Sequence, residues 1–154
     1  MPAHWLMKSE PDEVSIDDLA AAPGQTVPWT GVRNYQARNF MRDQMQPGDD
    51  VLFYHSSCPQ PGIAGLARIV GHLAPDTTQF DPTSPYFDAA SSPGSARWLQ
   101  IDVAFVRKTR LLGLPEMRAA PELQTMRVLR PGNRLSITPV SDDEWVAVLR
   151  LLDR

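Results

Sequence analysis

The chain has 154 residues, 42% of them hydrophobic and 21% charged, which is the size of one domain and the balance of an ordinary folded protein. That excludes a disordered tail, a fibre and a coiled coil, and no run reaches the roughly 18 apolar residues of a membrane span. A formal net charge of −3 argues against a protein that coats duplex DNA through its overall field.

In chain order, Trp5-Leu6-Met7 is predicted as an apolar strand that exits into Lys8-Ser9-Glu10-Pro11. No basic-then-apolar leader pattern precedes it, so the expected compartment is the cytoplasm, or the nucleus in a cell that has one. Ser15 to Leu19 reads as a short N-capped helix with acidic residues in its first turn. A longer helix is predicted over 34–45: Asn34 is a cap, and Ala37, Phe40, Met41 and Met45 fall on one face. Gln46-Pro47-Gly48-Asp49 stops it and turns into a short buried strand over 51–55. A second strand region is predicted over 63–73, broken by Gly65 and Gly71. Proline-rich sequence from Pro75 to Ala96 predicts a long irregular loop, a kind that is commonly functional. Over 98–106, Leu99, Ile101, Val103 and Phe105 alternate with other residues as a strand requires. A short strand at 135–138 follows, and Ser141-Asp142-Asp143-Glu144 forms the capping box of a terminal helix. Strands separated by helices of unequal length, with no phosphate-cradling glycine loop, predict one α+β domain built on a small mixed barrel.

Cysteine and histidine close off other chemistries. A lone Cys58 makes no internal disulfide, and His4, His55 and His72 lack zinc-ligand spacing, so no metal or cofactor is expected. Thirteen of the fifteen basic side chains are arginine. They include a group at Arg33, Arg38 and Arg42 and another at Arg107 and Arg110, a planar fork suited to phosphates and base edges.

Five segments could carry function. Trp29 to Asn39 gathers an aromatic, amides, a phenol and guanidiniums around a helix start. There Trp29 offers a stacking plane, Tyr35 a phenol, and Asn34 and Asn39 paired donors and acceptors. Arg38 lies one turn after Asn34, on the same face. Read alone, Trp29 and Tyr35 are equally core aromatics and Asn34 only a cap. Lys8, Ser9 and Glu10 at a strand end can line a polar pocket, or serve as base and supporting groups of a hydrolase. Tyr54 to Cys58 places His and Ser side by side, but neighbours on a strand face opposite ways. A hydrolytic triad is not expected there, and Ser56 is better read as a pocket-lining group. Trp98 could stand opposite Trp29 as a second aromatic wall, and Arg134 after a turn could meet a phosphate.

Taken together, Trp5 to Pro11, Trp29 to Asn39, Gly48-Asp49, Phe53 to Ser56, Pro61 to Gly65, Phe80-Asp81-Pro82, Arg97-Trp98 and Asn133 to Ser136 follow one another as in the EVE domain family, which the chain resembles over its full length. The resemblance implies a PUA-like fold, a small mixed or antiparallel β-barrel flanked by short helices. It further implies a non-catalytic module that takes a modified base into an aromatic pocket, most often a modified cytosine in DNA, or a modified base in RNA. The implied pocket gathers Lys8, Ser9, Glu10, Trp29, Asn34, Tyr35, Arg38, Asn39, Ser56, Trp98 and Arg134 in a monomer without cofactor. A resemblance to ASCH-type amidohydrolases would instead make Lys8, with Ser9 and Glu10, the machinery for hydrolysing a modified nucleoside. Ala89, Ala90 and Ser92 stand where such proteins tend to carry lysine, so a weak grip on the nucleic-acid backbone is expected.

Overall fold

The computed structural model describes residues 2–154. Its strands are β1 (His4–Ser9), β2 (Thr26–Trp29), β3 (Asp50–His55), β4 (Gly62–Ile69), β5 (Ala74–Pro75), β6 (Leu99–Gly113) and β7 (Ile137–Val140). The helices are α1 (Ile16–Ala21), α2 (Tyr35–Asp43), α3 (Leu114–Ala119) and α4 (Asp142–Leu152). The strands form one mixed sheet in the order β2-β6-β4-β3-β1-β7, with β5 added beside β6. Among the described residues, β1 and β3 are the one parallel pair. The α+β fold is as expected, with one refinement to the barrel: the ladder does not close, and β2 and β7 are its edges.

Strand alternation gives the sheet two apolar faces. Trp5, Met7, Val51 and Phe53 join Ile16 and Leu19 of α1 and Ala37, Phe40 and Met41 of α2 in one core. Leu6, Leu52 and Tyr54 join Met117 of α3 and Val148 and Leu151 of α4 in the other. The helices are therefore sorted two to each face. The expected capping box forms at Ser141 with Glu144, and the expected Ser15 cap is also a full capping box, with Asp18 returning the bond. Asn34 caps α2 by accepting from the backbone N–H groups of Gln36 and Ala37. A buried polar anchor holds the turn into β3: Asp49 accepts from the indole N–H of Trp5 at 3.0 Å and the backbone of Gln46 at 2.9 Å.

Several boundaries moved. The strand expected at 98–106 continues to Gly113, because register shifts against β4 put extra residues into β6 and erase the alternation after Val106. The region expected at 63–73 ends at Ile69, where Val70 and Gly71 turn their N–H groups to Asp102, and β5 follows separately. The last strand lies two residues later than expected, at Ile137–Val140. The expected long helix spans Tyr35–Asp43 within its predicted limits.

Candidate functional site

Where β1 and β3 end side by side, β7 has not yet begun its pairing and the edge strand β2 lies across from them. The result is a cavity of about 350 Å3, at the small end of ligand sites. Val27, Pro28 and Trp29 form one wall and continue into Thr30, Gly31 and Val32. The strand ends supply Lys8, Ser9, Glu10, Ser56 and Ser57, and Arg134 with Ser136 closes one side. Glu13, Val14 and Tyr86 close the other.

Each wall is fixed by identifiable bonds. Trp29 is buried and meets Phe53 edge to face, with ring centroids 5.5 Å apart. The Ser9 hydroxyl donates to the Val14 carbonyl at 2.6 Å, tying the strand end to the loop before α1. The Tyr86 hydroxyl donates to the Glu13 carboxylate at 2.6 Å. Burial, that bond and the nearby negative charge of Glu13 hold the Tyr86 phenol protonated well above the usual range. Gly31 meets a double demand: its φ is +83°, and a Cβ there would stand 2.9 Å from the Tyr86 ring.

A buried network docks the long 76–98 loop onto this wall. The fully buried Asp76 carboxylate accepts from Gly31 N–H at 2.8 Å and from Arg33 Nη1 at 3.0 Å. Arg33 donates Nε and Nη2 to the Tyr86 carbonyl. Burial alone would raise the Asp76 carboxyl; the bonds from Thr78, Gly31 and Arg33 outweigh it and leave the pKa lowered. Gln79 is also fully buried and satisfies both ends of its amide on the backbone of Asp76, Arg97 and Trp98. The loop that the prolines marked as irregular is irregular but held.

The residues singled out in the sequence fall into two places. Lys8, Ser9, Glu10, Trp29, Ser56 and Arg134 line the cavity. Asn34, Tyr35, Arg38, Asn39 and Trp98 do not; they gather around the start of α2. There Trp98 stacks on Tyr35 with centroids 4.7 Å apart, and its indole N–H donates to Asp88 at 2.7 Å. Arg38 donates to Asn39 Oδ1 and to the Arg97 carbonyl. Trp98 thus faces Tyr35 rather than Trp29, and the second aromatic lining the cavity is Tyr86. Its loop was noticed in the sequence, but its position depends on Arg33 reaching Asp76 across 43 residues, which no local pattern announces. Glu13 was not singled out as a pocket residue, since its place there depends on Tyr86 arriving from 73 residues away.

Lys8 reaches the cavity rim from the far side of the sheet. Alternation along β1 puts its side chain with Leu6, and its Nζ lies 5.9 Å from the centroid of the Tyr54 ring. Burial lowers its pKa, and among the described residues no carboxylate oxygen lies within 4.0 Å of it. Ser9 faces the opposite way along the strand, and its hydroxyl is engaged by the Val14 carbonyl. His55 accepts from the Ile16 N–H through Nε2 at 3.1 Å, a structural bond that ties α1 to β3.

The EVE domain family model matches residues 3–151. This chain belongs to the EVE domain family. Thymocyte nuclear protein 1 of Homo sapiens is 42% identical over 172 aligned residues, covering all of this chain and 76% of the human protein. A solved structure from Leishmania major is 45% identical with a TM-score of 0.94, covering 99% of this chain and 96% of that one. The crystal structure of human THYN1 in complex with 5-methylcytosine-containing DNA is 44% identical with a TM-score of 0.90, covering 99% and 98%. The PUA-like fold that the EVE resemblance implied is therefore the fold of this chain. The ZmASCH protein of Zymomonas mobilis shares that fold at 8% identity and a TM-score of 0.53.

Proposed function

We propose that this protein is a non-catalytic nucleic-acid-binding module that takes a modified cytosine of DNA into the cavity between Trp29 and Tyr86. The observation that carries the reading is the cavity itself: two aromatic side chains and short apolar groups on its walls, with hydroxyls, two carboxylates and two cations at the strand ends and mouth, around a volume of about 350 Å3. Val14, Val27 and Trp29 give an added methyl group a dry neighbour. Glu10 and Glu13 supply carboxylate acceptors of the kind that suit the exocyclic amine of cytosine. Arg134 stands at the mouth for a phosphate. The complex of human THYN1 with 5-methylcytosine-containing DNA supports the choice of base. Extruding a base from a duplex costs a few kcal/mol, so an opened or unpaired strand is the easier substrate.

The hydrolase alternative draws support from the lowered Lys8 pKa, but Lys8 and Ser9 occupy opposite faces of β1, and the ASCH likeness concerns the fold alone. The test is a titration by fluorescence anisotropy at low salt. Short DNA and RNA strands and duplexes would carry cytosine, 5-methylcytosine or 5-hydroxymethylcytosine at one position. The wild type should prefer one modified DNA strand, and Tyr86→Ala should lose the preference while Lys8→Ala retains it. Equal affinity for all three bases on every strand would overturn the reading; modification dependence confined to RNA would move it to RNA. Turnover of a free modified nucleoside, abolished by Lys8→Ala, would establish the hydrolase instead.

A further inference from the structure

The cavity wall and the start of α2 are joined by a continuous run of planar groups. The Arg33 guanidinium lies 5.5 Å from the centroid of Tyr86 and 5.4 Å from that of Trp98. Trp98 stacks on Tyr35 with an interplanar angle of 23°, and the Arg38 guanidinium lies 4.8 Å from the Tyr35 centroid. The inner rungs are held in place: Arg33 by Asp76 and the Tyr86 carbonyl, Trp98 by Asp88. The outer end faces solvent: Trp98 is 6% exposed and Tyr35 49%, and the Arg38 guanidinium against the Tyr35 ring is the last rung. Tyr35 is the first residue of α2, and the buried face of that helix is Ala37, Phe40 and Met41, so the core does not require an aromatic there.

The charges around this outer end point to one kind of partner. Among the described residues, neither Arg38 nor Arg97 has a carboxylate oxygen within 4.0 Å. A half-exposed phenol beside two guanidiniums that no carboxylate touches is the composition of a single-strand stacking platform, in which planar groups take bases and arginines take phosphates. Its continuity with Tyr86 makes it an extension of the cavity rather than a separate surface.

We propose that the Tyr35–Arg38 end of this ladder stacks an unpaired base flanking the one held in the cavity, with Arg97 on the adjoining phosphate. The platform rests on the nucleic-acid reading above and adds to it: the preferred ligand is an opened or single strand, and Tyr35, Arg38 and Trp98 belong to the flanking nucleotides rather than to the modified base.

The experiment uses the full chain and a single-stranded DNA heptamer with central 5-methylcytosine, alongside the same heptamer made abasic on one side of the centre or the other. With wild type, removing the bases on one side should weaken binding roughly 5- to 150-fold, the range of a single aromatic–base stack. Tyr35→Ala should weaken binding of the intact heptamer by the same factor and make the abasic substitution on that side cost nothing, because the two changes remove one contact. Tyr35→Phe, which keeps the ring, should behave as wild type. Equal abasic penalties in wild type and Tyr35→Ala would overturn the platform, as would wild-type binding indifferent to flanking bases. The second result needs no variant to fold. Should the heptamer bind equally with cytosine or 5-methylcytosine, the cavity reading falls, while the dependence on Tyr35 and flanking bases still decides the platform. Absence of heptamer binding, with a peptide or protein bound through Tyr35 instead, overturns both.

Discussion

Asp76 shows how one residue decides whether the site exists. Its carboxylate has no exposed surface, yet it holds Gly31 on one side of the cavity wall and, through Arg33, the carbonyl of Tyr86 on the other. A buried charge with its partners is stable only as a set. Removing one member strands the rest and typically costs about 3–5 kcal/mol. Asp76→Ala should therefore lose stability of that order in chemical denaturation, with Arg33 left partly buried and uncompensated. The same residue sets an acid limit. Its pKa is lowered in the folded state, so its contribution is fully present above the unfolded value of about 3.9 and is lost as pH falls through the folded one. Denaturation followed from pH 6 downward should show stability falling below about pH 4; in Asp76→Ala that part of the fall should vanish. An unchanged acid profile in the variant would assign the acid limit to other carboxylates.

At the scale of elements, the cavity depends on how α1 is seated, and that depends on a glycine. Gly65 lies at the register shift between β3 and β4, and a Cβ there would stand 2.5 Å from Ile16 Cδ1 and 2.8 Å from the Arg107 carbonyl. One neighbour is a side-chain end that can move; the other is backbone that cannot. Gly65→Ala should cost about 1–3 kcal/mol by overpacking, and its melting temperature should fall while Gly94→Ala, with open space around it, leaves the melt where it was. The strand, the Ser15 and Asn34 caps and the Ser141–Glu144 capping box were legible because each is written in neighbouring residues, as is the alternation at Leu99 to Phe105. The site was half legible. Lys8, Ser9 and Ser56 could be placed because strand ends are where pockets open. Tyr86 and Glu13 could not, since 73 residues separate the two partners of that hydrogen bond. Trp98 was misdirected for a related reason: a tryptophan at a strand start announces burial but not the ring it will meet.

For the whole molecule, the question is how an acidic protein holds a polyanion. The net charge of −3 sums 15 basic and 18 acidic side chains, and the basic ones are of two kinds. Those on β6 are already spent on carboxylates: Arg107 on Asp153 at 3.5 Å, Lys108 on Asp17 at 2.9 Å and Arg110 on Glu116 at 2.7 Å. Others at the site, Arg33 apart, are not: among the described residues, Arg38, Arg97 and Arg134 have no carboxylate oxygen within 4.0 Å, and Arg134 lines the cavity itself. A cation that touches a phosphate releases a counterion and steepens the salt dependence; a cation paired within the protein only shifts the mean field. Each phosphate contact on a single strand contributes about 0.7 to the slope of log K against log salt. On the 5-methylcytosine heptamer, Arg134→Ala and Arg97→Ala should each lower the slope by about that amount. Arg107→Ala and Lys108→Ala remove the same formal charge and should leave the slope alone, weakening affinity only slightly at low salt. Equal slopes for all four variants would mean that the strand feels the protein as a diffuse charge. Two falling and two unchanged would place the backbone across the cavity mouth, with the acidity of the remaining surface keeping plain duplex away.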